Sequence, residues 1–186
     1  MLDATLELIL ERGLDQLSIV EVAGRAGVHD TTIYRRWGTR ERLMIDALLV
    51  AGERRLPVPD TGSLRGDLVE FASTLASLLS EPLGRALAHA LAGPSEDPAM
   101  NEARAHYFQA RLDLVGVVID RAVARGELPA GTDASLALEA LIAPLHFRTL
   151  VSRRPLDDGL PGRIADLVLY GLTVSMAEPS SDTRTP

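Results

Sequence analysis

A chain of 186 residues, 46% of them hydrophobic, is long enough to bury a substantial core, as one domain or as a small domain fused to a larger one. It has no cysteine, which excludes disulfides, thiolate metal sites and a cysteine nucleophile. The net charge of -7 speaks against nucleic-acid binding by the chain as a whole, but Arg25, Arg35, Arg36, Arg40 and Arg42 face only Asp30 and Glu41, so that stretch is +3 and the remainder -10.

That asymmetry sets one basic end on an acidic body. All 19 basic residues are arginine, a composition expected of a GC-rich genome. No apolar run approaches the roughly 18 residues of a membrane span, and the acidic N-terminus is no secretion signal, so no membrane partner and a cytoplasmic placement are expected.

The first informative elements lie in residues 18–43, SIVEVAGRAGVHDTTIYRRWGTRERL. Ser18 with Glu21 three residues later forms the pattern of a capping box, so a helix is expected from Ser18. Ile19, Val22, Ala23 and Ala26 recur at helical spacing, and Gly27 ends the helix in a left-handed cap, with Val28 as the apolar plug of the turn. A second helix opens at Asp30, with Ile33 and Trp37 on one face and Thr31, Thr32, Tyr34, Arg35 and Arg36 pointing outward. Hydroxyls, a phenol and guanidinium groups on a short helix suit a DNA major groove. Thr39 caps the next helix, expected to run to about Arg55, with Arg40 and Arg42 near its start and within reach of phosphate.

Residues 57–62, PVPDTG, read as a joint between domains. Leu64, Leu68, Phe71, Leu75, Leu78 and Leu79 place an amphipathic helix over 63–80, and a short one follows over 82–92. Residues 93–96 form a turn. Asp97 and Pro98 then open a long helix that ends at Gly126. Thr132 or Asp133 caps a helix reaching about Val151, with Leu138, Leu141, Ile142, Leu145 and Leu150 on it and Pro144 bending it. A loop with an exposed Arg153-Arg154 pair leads to a last helix over 163–176, and the tail from residue 178 is expected to be disordered. The reading is an all-α fold of about nine helices: a helix-turn-helix domain over 1–45, a regulatory body over 46–178 and a tail over 179–186.

Several runs resemble the TetR-type (tetracycline-repressor-like) bacterial transcription regulators. They are Glu11-Arg12-Gly13, Val22-Ala23 with Ala26-Gly27-Val28, Thr32-Ile33-Tyr34 with Trp37, and Thr39-Arg40-Glu41 with Leu43. The body from Arg121 to Pro129, followed by the aspartate-capped helix with its internal proline, resembles that family's regulatory domain more loosely. Two departures stand out: Asp30 occupies a position where the family commonly carries lysine, and Met1 falls inside the first helix, so the usual basic arm is missing and phosphate anchoring is expected to be weak unless the true start lies upstream.

The resemblance makes Ser18, Thr31, Thr32, Tyr34, Arg35, Arg36, Trp37 and Arg40 the candidate DNA-binding residues. It implies a homodimer in which the last two long helices pair with their copies through Leu138, Leu141, Leu145, Ile164, Leu167, Val168, Gly171 and Leu172. Dimerisation also follows from the DNA side. One short helix reads too few bases, whereas two-fold symmetry sets two of them about 34 Å apart, or a multiple of that, on an inverted-repeat operator. By the same resemblance an unidentified small molecule enters the helical body, shifts the helix over 39–55 and releases repression.

Aromatic or polar interruptions of apolar helices nominate Phe71, Leu75, Leu78, His89, Tyr107, Phe108, Arg111, His146 and Phe147 for the pocket, although core packing or a surface position is the better account of each taken alone. No Glu-x-x-His pair, Gly-rich phosphate loop, HExxH or Gly-x-Ser-x-Gly is present, so no metal, cofactor or catalytic residue is expected and an all-helical enzyme is a poor reading. A helical ligand-binding or scaffold dimer that has lost DNA binding is the remaining alternative.

Overall fold

A computed structural model describes residues 1–92 and 96–174, and within them the chain is all helical. The helices are α1 (Leu2–Arg12), α2 (Ile19–Ala26), α3 (Asp30–Trp37), α4 (Arg40–Arg55), α5 (Leu64–Ser80), α6 (Pro82–Ala92), α7 (Pro98–Ala124), α8 (Ala134–Phe147) and α9 (Leu160–Val174). The expected last turn at residue 176 and the tail over 179–186 lie outside the described residues, as does most of the turn over 93–96.

The boundaries follow from local chemistry. Thr39, Ser63, Asp97 and Asp133 each accept a backbone N–H from the first turn of the helix they precede, at 2.9–3.2 Å. Gly27 closes α2 at φ 66°, and the Val28 N–H turns back to the Ala23 carbonyl at 3.0 Å, which satisfies a carbonyl that the helix leaves open.

Three expectations are corrected here. Ser18 does precede α2, but its hydroxyl makes no cap bond, and the Glu21 carboxylate pairs with Arg12 instead of closing a capping box. A charge-assisted bond to a guanidinium outcompetes a neutral amide donor. The helix expected to reach Val151 stops as an α-helix at Phe147 and continues as a π-helical turn, Arg148–Ser152. Pro144 has no N–H for the Ala140 carbonyl, so the regular ladder is already broken one turn earlier. Arg153, at φ 54°, then ends the turn and donates to the Thr149 carbonyl. The last helix starts at Leu160 rather than Arg163, with Pro161 in its first turn, where a missing N–H costs nothing.

Two apolar cores result. The first joins Leu8 and Ile9 of α1, Val22 of α2, Ile33 and Trp37 of α3, and Leu43, Met44 and Leu48 of α4, with Met100 of α7 inserted from the body. The second is built by Leu68 and Leu75 of α5, Val118 and Ile119 of α7, Leu138, Leu141 and Leu145 of α8, and Ile164 and Ala165 of α9. Helix α4 serves both, since Leu48 lies in the first and its capping residue Leu56 in the second, and it runs unbroken through residue 45.

Contrary to expectation, one stretch is long and apolar enough to span a membrane: Ala134–Ser152, 19 residues with mean hydropathy 1.3. In the fold it buries Ala137, Leu138, Leu141 and Leu145 in the second core and leaves Leu136, Phe147 and Val151 exposed.

Candidate DNA interface and internal cavity

Helix α3 is a two-faced element. Ile33 and Trp37 are buried, and the Trp37 indole N–H donates to Asp46 of α4 at 2.8 Å, which fixes the angle between the two helices. On the other face Thr31, Tyr34, Arg35 and Arg36 are exposed and Thr32 is half-buried. The Arg36 guanidinium lies 4.7 Å from the centre of the Trp37 ring, a cation–π contact that restrains its long side chain. Asp30 accepts the Thr31 N–H at 2.7 Å, so this carboxylate is spent on an open donor in the first turn of α3.

The structure redistributes the charges read from the sequence. Arg25 is held by both carboxylate oxygens of Glu11 at 2.7 and 2.9 Å, which raises the guanidinium pKa and lowers that of Glu11. Arg40 pairs with Glu41 and Asp97 and donates to the Asp15 carbonyl, tying α4 to the turn after α1 and to the start of α7. It is a strut, and Trp37 is a core residue, where both were expected at the DNA surface. Arg35, Arg36 and Arg42 make no ion pair among the described residues, so Arg42 replaces Arg40 as the cation at the mouth of α4. Its exposure, which no spacing rule reveals, makes the difference. Ser18 is half-buried beside α2 with its hydroxyl unused as a cap.

Inside the body lies a cavity of about 100 Å³ walled by five helices. Of the nine nominated pocket residues, Phe71, Leu75, Leu78, Tyr107, Phe108, Arg111 and His146 line it. Phe147 is 56% exposed and points away, and His89 sits at the surface with its Nε2 3.2 Å from Arg153. Missing from the nominated set were Leu48, Ala51 and Gly52 of α4 and Leu87, Ala88 and Leu91 of α6, because small and apolar residues on a helix read as ordinary core.

Burial holds the Tyr107 phenol above its ordinary pKa and the His146 imidazole below its own, so both are neutral at pH 7. His146 Nδ1 lies 3.1 Å from the Ile142 carbonyl and donates to it, leaving Nε2 as an acceptor.

A second, open groove of about 950 Å³ runs between α8 and α9, with Leu136, Ala140, Pro144, Leu167, Gly171 and Leu172 along it. Of the residues expected to pair two protomers, Leu138, Leu141 and Leu145 are fully buried in the protomer's own core and are unavailable. Ile164 and Val168 are nearly so and form only the floor of the groove. Leu167 of the expected set does lie outward, and with Leu136 and Tyr170, each more than 60% exposed, it forms the outward apolar surface; a Cβ at Gly171 would meet no atom within 4 Å.

Comparison with known proteins agrees with this layout. Residues 1–47 match the family described as bacterial regulatory proteins, tetR family, and residues 58–168 match the tetracyclin repressor-like C-terminal domain. The HTH-type transcriptional regulator AqdR of Rhodococcus erythropolis is 34% identical over 171 residues, covering 92% of this chain and 83% of that protein. The DNA-binding transcriptional repressor TetR of Mycobacteroides abscessus is 34% identical over 182 residues, covering 92% and 91%. The crystal structure of the TetR family transcription regulator SCO0332 superposes with a TM-score of 0.75 at 28% identity, over 91% of this chain and 94% of the other. An arginine-bearing α3 over a buried tryptophan, joined by α4 to a hollow helical body, thus belongs to a chain of the TetR family, a DNA-binding transcriptional regulator and not an enzyme.

Proposed function

We propose that two copies of this chain form a cytoplasmic repressor that grips an inverted-repeat operator and releases it when a small molecule enters the body. The division of labour assigned is DNA reading by residues 1–45, and dimerisation and ligand sensing by 46–178. One observation carries this reading: α4 is a single unbroken helix that supports α3 at one end, through Asp46 and the Thr39 cap, and walls the cavity at the other, through Leu48, Ala51 and Gly52.

At about 100 Å³ the cavity holds a few water molecules, whereas small-molecule sites run to about 300–1,000 Å³. A ligand therefore has to part the walls, and α4 is one of them. Both α3 helices of a dimer must fit successive major grooves at once, so a preference of a few kcal/mol for the wrong spacing is enough to release DNA. A second copy seated on the apolar outer faces of α8 and α9 supplies the two-fold symmetry.

The test is anisotropy of labelled duplex from upstream of the protein's own gene, beside a scrambled duplex and across salt concentrations. Tight binding that needs the inverted repeat and weakens steeply with salt is expected. Replacing Arg35 and Arg36 together by alanine should reduce operator affinity by about 30-fold or more, since each such contact is worth about 1–3 kcal/mol, while the thermal midpoint stays near that of the parent. Unchanged affinity in that variant would move DNA reading to other residues, whereas equal, weak binding of the parent chain to both duplexes would favour a ligand-binding or scaffold dimer without a DNA role.

A further inference from the structure

The guanidinium of Arg111 is the most unusual polar group in the body. It projects from the middle of α7, is 8% exposed and lines the cavity. Its one hydrogen bond runs from Nη2 to the Leu56 carbonyl at the end of α4, at 3.1 Å. Nη1 is buried with no partner, and no carboxylate pairs with this cation among the described residues. A guanidinium, unlike an ammonium, does not shed its proton to escape this cost. An uncompensated buried charge is strongly unfavourable, which marks a site that is complete only when an anion is present.

The surroundings sharpen the chemistry. Among the described residues no aspartate or glutamate lines this cavity, whose polar side chains are Arg111, Arg55, Tyr107 and His146. Arg55 stands at the rim with Glu81 already 3.2 Å away. The other lining residues are apolar or glycine. One free cation, a neutral imidazole and an oily wall suit a single negative charge on an apolar body. A dianionic phosphate would bring a second charge with nothing to meet it.

We propose that the effector is an apolar carboxylic acid, bound as its carboxylate by Arg111 with the hydrocarbon part among Phe71, Leu75 and Phe108. This rests on the cavity being the effector site. The placement of Arg111 also links binding to the DNA head. The same guanidinium lies against Gly52, where a Cβ would be 3.5 Å from Nη1, and holds the carbonyl that ends α4. A carboxylate drawing the guanidinium into the cavity competes with Leu56, so the end of α4 is released as the ligand binds.

The experiment is calorimetric titration of the full chain with decanoate and 4-phenylbutyrate, each beside its primary amide, which keeps the shape and removes the charge. Operator release is measured in parallel. At least one acid should bind 10-fold or more tighter than its amide and release the operator. Arg111→Met should abolish that preference while keeping helicity and, because it also removes the bond to Leu56, should weaken operator binding by the ligand-free chain; Arg111→Lys should retain part of the preference. Amides that bind as well as the acids, and are blocked by a cavity-filling Leu75→Trp, would overturn the carboxylate assignment and leave the effector site standing. If neither series binds or releases DNA, and Leu75→Trp changes neither stability nor operator affinity, the cavity reading fails as well.

Discussion

His146 illustrates how one residue carries two meanings. Its spacing on an apolar helix singles it out, yet the same spacing fits a core histidine, and the fold makes it a buried neutral ring bonded to its own helix and facing the cavity. Burial lowers its pKa below the ordinary value of about 6.5. The unfolded chain therefore binds the proton more readily, and the stability associated with this residue is complete above about pH 6.5 and falls as pH drops through the folded-state value. The ion-paired carboxylates Glu11, Glu127 and Asp157, also lowered, act in a separate and more acidic window. Thermal midpoints measured from pH 7.5 to 5 should decline for the parent chain, and His146→Leu should flatten that slope. An identical slope in the variant would assign the acid sensitivity elsewhere.

At the scale of elements, the turn between α2 and α3 sets where the reading helix sits. Gly27 occupies a left-handed conformation that costs any residue with a Cβ about 1–2 kcal/mol, while Gly24, one turn earlier, lies within α2 with open space around its Cα. Gly27→Ala should thus destabilise by about 1–2 kcal/mol in chemical denaturation, and Gly24→Ala should stabilise by about 0.5–1 kcal/mol. Equal effects of the two substitutions would mean that the left-handed cap does not hold the turn. The π-helical turn after α8 has a comparable origin in the missing N–H of Pro144. The proline itself is plain in the sequence, but whether such a break bends, ends or re-registers a helix depends on what Thr149 and Arg153 find to bond.

On the scale of the whole molecule, the proposed dimer rests on the outer surface of α8 and α9. It exposes Leu136, Leu167 and Tyr170, large apolar groups that a lone protomer gains nothing by presenting to water. Leu136→Glu with Leu167→Glu should leave helicity intact, since neither side chain is in a core, while sedimentation shifts from dimer to monomer. Operator affinity should fall with it, because one head alone lacks the second half-site. A variant that stays dimeric would move the interface off this face.

Legible in the sequence alone were the all-helical class, most helix ends and the outward set of α3, because caps, glycine stops and the three-and-four spacing of apolar residues act within a few residues of each other. The family resemblance was legible for the same reason, as its motifs are local. Tertiary structure alone decided which arginines are free, since Arg25 and Arg40 are neutralised by carboxylates 14 and 57 residues away and Arg42 is not. It also turned Leu138, Leu141 and Leu145 inward and Leu136 outward, and it left Arg111 buried with half of its fork unmet. Spacing tells that a helix has an apolar face; a helix packed from two sides has more than one, and which partner each receives is settled only when the chain has folded.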